Sequence, residues 1–360
     1  MKSPARNAII FIDSFLSLEY RHKRAIIDLY DDAGNLFSDP LKAAEYLKIN
    51  SKESTASAFV AAIRGDFLKN LAVKCEKSGV TVITEADDDY PDRLINLPFR
   101  PLCLYCKGNV KLLKSNETFG IVGSRKTLAE YKKYSENVAR TLLSSGVTLV
   151  TGTAAGGDFA AIKEGHKSGK LICVLAEGFD FIGNEINRDY LLKTIENDGL
   201  VVSEYPPSVP PQKYHYPVRN RIIAGLSDGV LITSGEDGSG ARHTANYALE
   251  YGKEIFSFPY APLVKSGELC NSLIKEGANL VTDVKDILSG MNLTAENKEI
   301  ILSDTEKQVY DAIKNGAFDF DTILDATGLK VYALTPIITS LEIKGAITRA
   351  SGGGYAVSEL

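Results

Sequence analysis

The segment Phe119-Gly-Ile-Val-Gly-Ser-Arg125 shows the pattern that repeats through the middle of this chain. Its apolar run, Phe119–Val122, predicts a buried strand; a glycine turn follows, and then an amphipathic helix from about Leu128 to Ser145. Five further apolar runs predict strands that alternate with helices: Thr148–Thr151, Leu171–Leu175, Gly199–Ser203, Gly229–Thr233 and Glu254–Phe258. Such alternation favours a parallel sheet covered on both faces. The sequence therefore predicts the α/β class, with a Rossmann-like, doubly wound and mostly parallel sheet.

The regions on either side have different patterns. Residues 1–78 carry apolar residues at three- and four-residue spacing, which predicts a helical N-terminal domain. Its predicted helices are Ala5–Leu18, Lys23–Tyr30, Pro40–Leu47 and Thr55–Lys77. The core domain then covers residues 79–288, and the polar stretch 289–302 is typical of a linker. Residues 303–360 begin with a capping box and predict three helices and a β-hairpin, which indicates a C-terminal winged helix.

Composition excludes several classes of protein. The net charge of −5 argues against a general DNA coat protein, so a nucleic-acid site would be a local basic patch. No apolar run approaches the roughly 20 residues that span a bilayer, and the start of the chain lacks a signal-peptide pattern, so we expect a cytoplasmic protein. The five scattered cysteines do not suggest disulfides. Cys103 and Cys106 alternate as in a strand, which favours buried apolar residues over half of a zinc site or a redox pair.

Three glycine-rich turns join a predicted strand to the helix that follows it: Gly120–Arg125, Thr151–Asp158 and Gly235–Thr244. The carboxyl ends of parallel strands share one edge of the sheet, where the amides of helix N-termini bind anions. The turns contribute Gly123, Ser124, Arg125, Gly152, Gly156, Gly157, Gly238, Ser239, Gly240, Arg242 and Thr244. We therefore expect them to form one anion-binding site.

A proline-rich segment leads into Tyr216-Pro-Val-Arg-Asn-Arg-Ile-Ile-Ala-Gly-Leu226. Because proline has a fixed φ and no amide proton, Pro206–Pro217 predicts a surface loop, followed by a helix from Asn220 to Leu226. Arg219 and Arg221 flank Asn220, and guanidinium groups match phosphate oxygens in pairs. With Lys213 upstream and no acid from Gln212 to Arg221, the segment predicts a second anion-binding element.

Candidates for catalysis are few. His243 has no obvious carboxylate partner, and the sequence contains neither a Walker A loop nor a paired-carboxylate pattern. His215 lies between Tyr214 and Tyr216, and these rings fit base stacking and packing of the loop equally well. The residues themselves therefore indicate no catalytic group and no site for a cofactor or metal.

From about Gly79 onwards the chain resembles the DprA/Smf family of DNA-processing proteins. The motifs that carry the resemblance are Tyr90-Pro91 with Leu94, Leu104–Gly108, Gly123–Arg125, Gly146, Thr151-Gly152, Gly157-Asp158, Ser203–Pro206, Arg219–Leu226, Ser239-Gly240, Thr244, Ala248, Asn271–Ile274 and Gly277-Ala278. The N-terminal helices resemble that family's sterile-alpha-motif-like domain only loosely. The family usually has a basic or aromatic residue and a histidine where this chain has Ala155-Gly-Gly-Asp158 and Ala161-Ile162, and Pro-Gly where it has Pro259-Tyr260.

The resemblance implies a protein that binds single-stranded DNA without cleaving it. Its members form homodimers, protect incoming strands and help to load the RecA recombinase during natural transformation, so the implied partners are single-stranded DNA, a RecA-type recombinase and a second copy of the chain. The implied DNA contacts are Ser124, Arg125, Lys213, Arg219, Arg221 and Ser239, to which the turns and the helix start add Asn220, Arg242 and Thr244.

Two other functions stay open. A small-nucleotide-binding or nucleotide-hydrolysing protein on the same fold would need a Pro-Gly-Gly-x-Gly-Thr turn and a following glutamate, from which Gly238–Thr244 and Glu250 depart. A transcription factor would read duplex DNA with its winged helix, but residues 303–360 carry five cations against eight acids. That imbalance favours protein contact over groove binding.

Overall fold

The apolar runs predicted as strands pair in one sheet in the computed structural model, which describes residues 3–184, 188–293, 302–344, 346–350 and 353–357. The chain forms two compact units, Met1–Thr294 and Ala295–Leu360. Among the described residues of the first unit, the strands are β1 (Thr81–Thr84), β2 (Cys103–Gly108), β3 (Thr118–Val122), β4 (Thr148–Thr151), β5 (Leu171–Leu175), β6 (Leu200–Ser203), β7 (Gly229–Ile232), β8 (Glu254–Ser257) and β9 (Asn279–Leu280).

The strand order is β1-β2-β6-β5-β4-β3-β7-β8-β9. Strands β3 to β9 pair in parallel, whereas β2 is antiparallel to both β6 and β1. The chain therefore builds outward from β3 in two directions, and β4 and β7 lie on either side of it. This reversal of strand order opens a crevice at the carboxyl edge of an α/β sheet. The predicted mostly parallel, doubly wound sheet is confirmed.

Helices cover both faces of the sheet because its central strands are buried throughout. In chain order, the helices of the first unit within the described residues are α1 (Pro4–Ser14), α2 (Tyr20–Asp28), α3 (Pro40–Asn50), α4 (Glu53–Arg64), α5 (Phe67–Lys77), α6 (Asp92–Ile95), α7 (Ala129–Ser144), α8 (Gly157–Gly165), α9 (Arg188–Glu196), α10 (His215–Leu226), α11 (Gly240–Glu250), α12 (Glu268–Lys275) and α13 (Val284–Gly290). Short 3₁₀ helices span Ala33–Phe37, Val110–Lys114, Phe179–Asn184 and Lys265–Gly267.

The N-terminal helices share a core with the sheet. Phe11 of α1 is fully buried, and its ring packs at 5.1 Å from that of Phe59 in α4. Arg6 of α1 forms an ion pair with Asp87, which follows β1, at 2.9 Å. Residues on both sides of position 78 lie in one compact unit, because apolar side chains from both sides contribute to one cluster. The domain boundary between residues 78 and 79 stays a prediction.

Several predicted elements differ in extent. The helix predicted over Thr55–Lys77 is two helices, α4 and α5, because the chain leaves helical geometry at Gly65. Helix α13 runs into the predicted linker, most of which lies outside the described residues. The prediction of a loop through Pro217 is wrong at its end, since α10 begins at His215. Pro217 is tolerated there because amides in the first helical turn have no intrahelical partner.

The second unit contains α14 (Asp304–Lys314), α15 (Phe320–Thr327), α16 (Val331–Ile343) and the hairpin strands β10 (Ile347–Arg349) and β11 (Tyr355–Val357). Ser303 and Glu306 form the predicted capping box. Val309, Ile323, Leu334 and Leu341 are fully buried in its separate core. The predicted winged helix is confirmed.

All five cysteines, including Cys103 and Cys106, are buried and free of disulfides. Burial raises the pKa of both thiols well above the usual range, so they are protonated apolar residues. Among the residues that the structure describes, no cluster of three His, Cys, Asp or Glu side chains is arranged to hold a metal ion. Likewise, no described helix combines the length and apolar character that crossing a membrane requires.

Candidate nucleic-acid interface

A cleft of about 540 Å³ opens at the carboxyl edge of the sheet, where β3 and β7 lie side by side. Residues 122–126 form one wall and residues 236–241 form another. Its remaining lining residues are Ala154, Asp158, Lys213, Tyr216, Pro217, Arg219, Asn220, His243 and Thr244. The structure therefore brings parts of all three predicted turns and of the proline-rich segment to one place.

The first turn is fixed by contacts with the end of β7. The amide of Ser124 donates to the hydroxyl and carbonyl oxygens of Ser234 at 3.0 and 3.1 Å. Thr127 Oγ1 in turn donates to the Ser124 carbonyl at 2.7 Å. These bonds leave Arg125 exposed at the cleft, and the structure gives its side chain no ion pair or hydrogen bond within the described residues. Arg125 is thus a guanidinium available to an anion.

Asp158 joins the first turn to the second. Its carboxylate accepts hydrogen bonds from the amides of Gly123 at 3.1 Å and Ala154 at 3.3 Å. Burial raises the pKa of Asp158, while the charge of Arg219 and these amides oppose that rise. In the sequence, Asp158 stands out only as part of a motif, and the signal for its role is a carboxylate placed directly after glycines at a helix start.

Arg219 and Asn220 connect α10 to the third turn. Arg219 donates to the carbonyl of Val174 in β5, and its Nε donates to Asn220 Oδ1 at 3.1 Å. Asn220 Nδ2 then donates to the carbonyl of Gly240 at 3.0 Å. Both side chains are buried, so the guanidinium at the floor of the cleft is held rigidly.

The third turn supplies the start of α11. Ser239 is its N-cap residue, and its Oγ is buried and has no hydrogen-bond partner within the described residues. A Cβ added at Gly238 or Gly240 would meet nothing within 4 Å, which shows that the turn borders open space. The first amides of a helix lack internal partners and attract anions. The N-terminus of α11 thus lies at the cleft, beside Ser239.

Two predicted arginine contacts lie elsewhere. Arg221 points to the opposite face of α10 from Arg219, where it is buried and forms an ion pair with Glu204. Burial lowers the pKa of Arg221, but the Glu204 carboxylate more than offsets this and raises it overall. Arg242 is not in the cleft lining; it pairs with Asp237 and Glu276, each at 3.1 Å. The structure therefore does not bring these two guanidinium groups to the cleft.

Three of the predicted phosphate-cradling glycines have a steric role instead, and none of them lines the cleft. Gly156 has φ +111°, and a Cβ there would lie 2.1 Å from the Ser124 carbonyl oxygen. At Gly157 a Cβ would lie 2.5 Å from Gly123 Cα, and at Gly152 it would lie 2.4 Å from Asp158 Oδ2. These glycines allow the first two turns to touch.

The ring of His215 holds the proline-rich segment in place. It stacks on Tyr205 at 3.9 Å, and its Nδ1 lies 3.0 Å from the Ala176 carbonyl oxygen. Burial lowers the pKa of His215, so it is neutral at pH 7. The sequence leaves base stacking and packing of the loop open for these three rings. His215 packs the loop, whereas Tyr214 is 67% exposed and Tyr216 lines the cleft.

The charge of the cleft is mixed. Arg125 and Lys213 are exposed cations for which the described residues provide no ion pair, whereas Lys126 lies 3.7 Å from Glu236. The pairing of Lys126 with Glu236 is not predictable from the sequence, because an acid and a base that are distant in sequence give no local signal. Arg125 and Lys213 are thus the exposed cations of the cleft that carry no ion pair within the described residues.

The model of the family "DNA recombination-mediator protein A" matches residues 81–292, more than half of the chain. The chain belongs to this family. The model of the DprA winged helix domain matches residues 294–353. These matches confirm the resemblance to the DprA/Smf family that its motifs carry.

Relatives agree with this assignment. "DNA processing protein DprA" of Bacillus subtilis is 30% identical over 70% of this chain and 91% of its own length. Its counterpart of Streptococcus pneumoniae is 39% identical over 56% of this chain and 71% of its own. "Protein Smf" of Synechocystis is 36% identical over 58% of this chain, which spans about half (53%) of that relative.

Two solved structures share the fold. The X-ray structure of DprA from Streptococcus pneumoniae matches 79% of this chain and 97% of its own, with a TM-score of 0.68 and 30% identity. DprA from Helicobacter pylori, solved in a study of its single-stranded DNA binding mode, matches 60% of this chain and 97% of its own, with a TM-score of 0.53 and 28% identity. The predicted DprA-type core is confirmed.

Proposed function

We propose that this DprA-family protein binds single-stranded DNA in the cleft and acts as a recombination mediator without cleaving the strand. The observation that carries the proposal is the cleft itself, which exposed Arg125 and Lys213 line together with Ser239 and the N-terminus of α11. Phosphates supply most of the binding energy for a single strand, and such donors suit them. The Helicobacter relative, whose structure concerns single-stranded DNA, supports the choice of ligand.

The cleft favours a single strand over a duplex. Its basic surface is small and lies within a chain of net charge −5, whereas a duplex reader presents a broad basic face. Tyr216 at the lining offers a ring on which an unpaired base can stack. We therefore expect salt-sensitive binding with little sequence preference.

The cleft also lacks the arrangement expected of a hydrolase. Three carboxylates among the described residues line the cleft. Asp158 is buried and engaged by two backbone amides, whereas Glu236 lies 3.7 Å from Lys126 and Asp237 pairs with Arg242. Glu250, the last residue of α11, is not among the residues that line the cleft. Binding without chemistry is thus the function that this geometry supports best, and a nucleotide-hydrolysing protein is the alternative that the experiment below tests.

We further propose a RecA-type recombinase as partner, a homodimer as the active form and the cytoplasm as the location. The family's description as a recombination mediator supports the first. The second unit is the element of this chain best suited to a protein partner. Exposed positions of α16 include Val331, Tyr332, Thr335 and Thr339, none of which is charged, whereas a helix that reads a DNA groove carries cations.

Fluorescence anisotropy with labelled single-stranded and duplex oligonucleotides of equal length, over a salt series, tests the proposal. We expect preferential single-strand binding with affinity that falls steeply with salt, and intact strands on denaturing gels afterwards. Equal binding of both forms would contradict the single-strand proposal, and cleavage would contradict the non-enzymatic one. A parallel titration with mononucleotides, scored for binding and for hydrolysis, decides the alternative.

A further inference from the structure

A second cavity of about 540 Å³ lies within the first unit, between the N-terminal helices and the core. Helix α10 and the residues before it separate it from the cleft. Lys213 and Arg219 line the cleft, whereas Tyr214 and Arg221 line the second cavity. A strand that contacts Lys213 therefore passes next to the mouth of this cavity.

Aromatic rings form much of its wall. Tyr205 and His215 present a stacked pair with centroids 3.9 Å apart and planes at 20°. Tyr214, 67% exposed, stands edge-on to His215 at the mouth, and Phe99, 61% exposed, packs against Tyr20. Flat apolar walls of this kind suit a planar ring, and base–aromatic stacking is a main source of affinity for single strands.

The charges inside the cavity are already paired. Arg221 pairs with Glu204, and Lys23 pairs with Asp13 Oδ1 at 3.3 Å. The lining contains no other lysine or arginine, so the cavity offers an anion no unpaired cation among the described residues. This cavity therefore suits an uncharged group, in contrast to the cleft.

One acceptor in the lining remains unused. Asp13 is 4% exposed, and its Oδ2 has no hydrogen-bond partner among the described residues. The buried Cys103 thiol neighbours this carboxylate, but a thiol is only a weak donor. A buried acceptor without a partner is costly, and a ligand N–H would satisfy it. Exocyclic amino and ring N–H groups of nucleobases are such donors.

We propose that this second cavity binds a nucleobase, stacked against its rings and hydrogen-bonded to Asp13. The base is turned out of the strand held in the cleft, or belongs to a free nucleoside. The first source rests on the proposed function; the second does not. In both, the sugar stays outside the cavity, and the phosphates of a strand lie on the side of Lys213.

An abasic scan tests the strand source. Each oligonucleotide lacks one base but keeps every phosphate. Its affinity is measured for the wild-type chain and for the variants Tyr214→Ala and Leu16→Trp. The second variant narrows the mouth of the cavity, since Leu16 is a half-exposed residue of its lining. Tyr134→Ala, at a tyrosine 60% exposed on α7, is the matched control. We expect one abasic position to weaken wild-type binding about fivefold or more, and both cavity variants, but not the control, to abolish that difference.

Titration of the chain with free nucleosides, followed by ligand-observed NMR, tests the other source. Binding that Tyr214→Ala and Leu16→Trp both remove supports the proposal, whether or not the abasic scan finds a position. Intact strand binding with neither a coupled abasic position nor nucleoside binding would overturn this proposal and leave the proposed function standing. Absence of strand binding would instead contradict the proposed function, and the nucleoside titration alone would then test whether the second cavity binds a nucleobase.

Discussion

Arg219 and Arg221 lie on opposite faces of helix α10 and line two different cavities. Arg219 donates to Val174 and to Asn220 beside the cleft, whereas Arg221 pairs with Glu204 inside the second cavity. Two residues apart on a helix differ by about 200° in direction, so one phosphate does not engage both. Of this pair, the geometry leaves Arg219 as the candidate DNA contact.

Arg221→Ala is expected to destabilise the first unit. The side chain of Arg221 is 8% exposed and that of Glu204 is 14% exposed, so the substitution leaves a nearly buried carboxylate without its partner. Breaking such a pair costs about 3–5 kcal/mol. Urea unfolding followed by circular dichroism measures the loss. The variant Arg221→Met with Glu204→Gln, which removes both charges, is expected to recover most of it; equal instability of the two variants would contradict an electrostatic cause.

Arg125→Ala and Lys213→Ala are expected to weaken strand binding without affecting stability. Both residues are exposed at the cleft and carry no ion pair within the described chain. Each lost phosphate contact reduces the slope of log affinity against log salt by about 0.7 for a single strand. Anisotropy over a salt series gives that slope.

The controls for these variants are Arg64→Ala and Lys167→Ala, which remove exposed cations at the ends of α4 and α8. Lys167 follows the end of α8, and α8 begins at the cleft, so Lys167 lies towards the opposite edge of the sheet. If these controls reduced the slope as much as the cleft variants do, binding would be a diffuse property of the surface.

Gly156→Ala is expected to disrupt the cleft. Its φ of +111° disfavours a side chain, and a Cβ would lie 2.1 Å from the Ser124 carbonyl oxygen, so the first turn must move. Backbone strain of this kind costs about 1–3 kcal/mol. We expect a lower melting temperature together with weaker strand binding. Gly252→Ala is the matched control, since Gly252 also has a positive φ (+65°), a Cβ there would meet nothing within 4 Å, and the residue does not line the cleft; unchanged binding by Gly156→Ala would contradict the role of the first turn.

Much of this architecture follows from the sequence because the parallel strands are short, mostly apolar and separated by amphipathic helices. The carboxyl edge of the sheet follows too, since it is where parallel strands end. The direction of a side chain does not follow in the same way. The prolines up to Pro217 predict a loop, but α10 begins at His215, and this turns Arg219 and Arg221 apart. Pairs such as Arg221 with Glu204 depend on three-dimensional packing and leave no pattern in a single sequence.

The pKa of Asp13 predicts how stability depends on pH. Burial raises it from 3.8 to about 6, against the opposing effect of Lys23. The folded chain therefore binds a proton at Asp13 between about pH 4 and 6 that the unfolded chain has released. This contribution to stability is present below about pH 4 and is lost as the pH rises through 6; the shift corresponds to about 3 kcal/mol at most. Urea unfolding at pH 5.0 and 7.5 is expected to show a smaller pH difference for Asp13→Asn than for the wild-type chain, because an amide does not titrate. An unchanged difference would assign the pH dependence to other groups.

Ligand N–H donation to Asp13 would stabilise its ionised form, so a saturating nucleoside is expected to raise stability more at pH 7.5 than at pH 5.0.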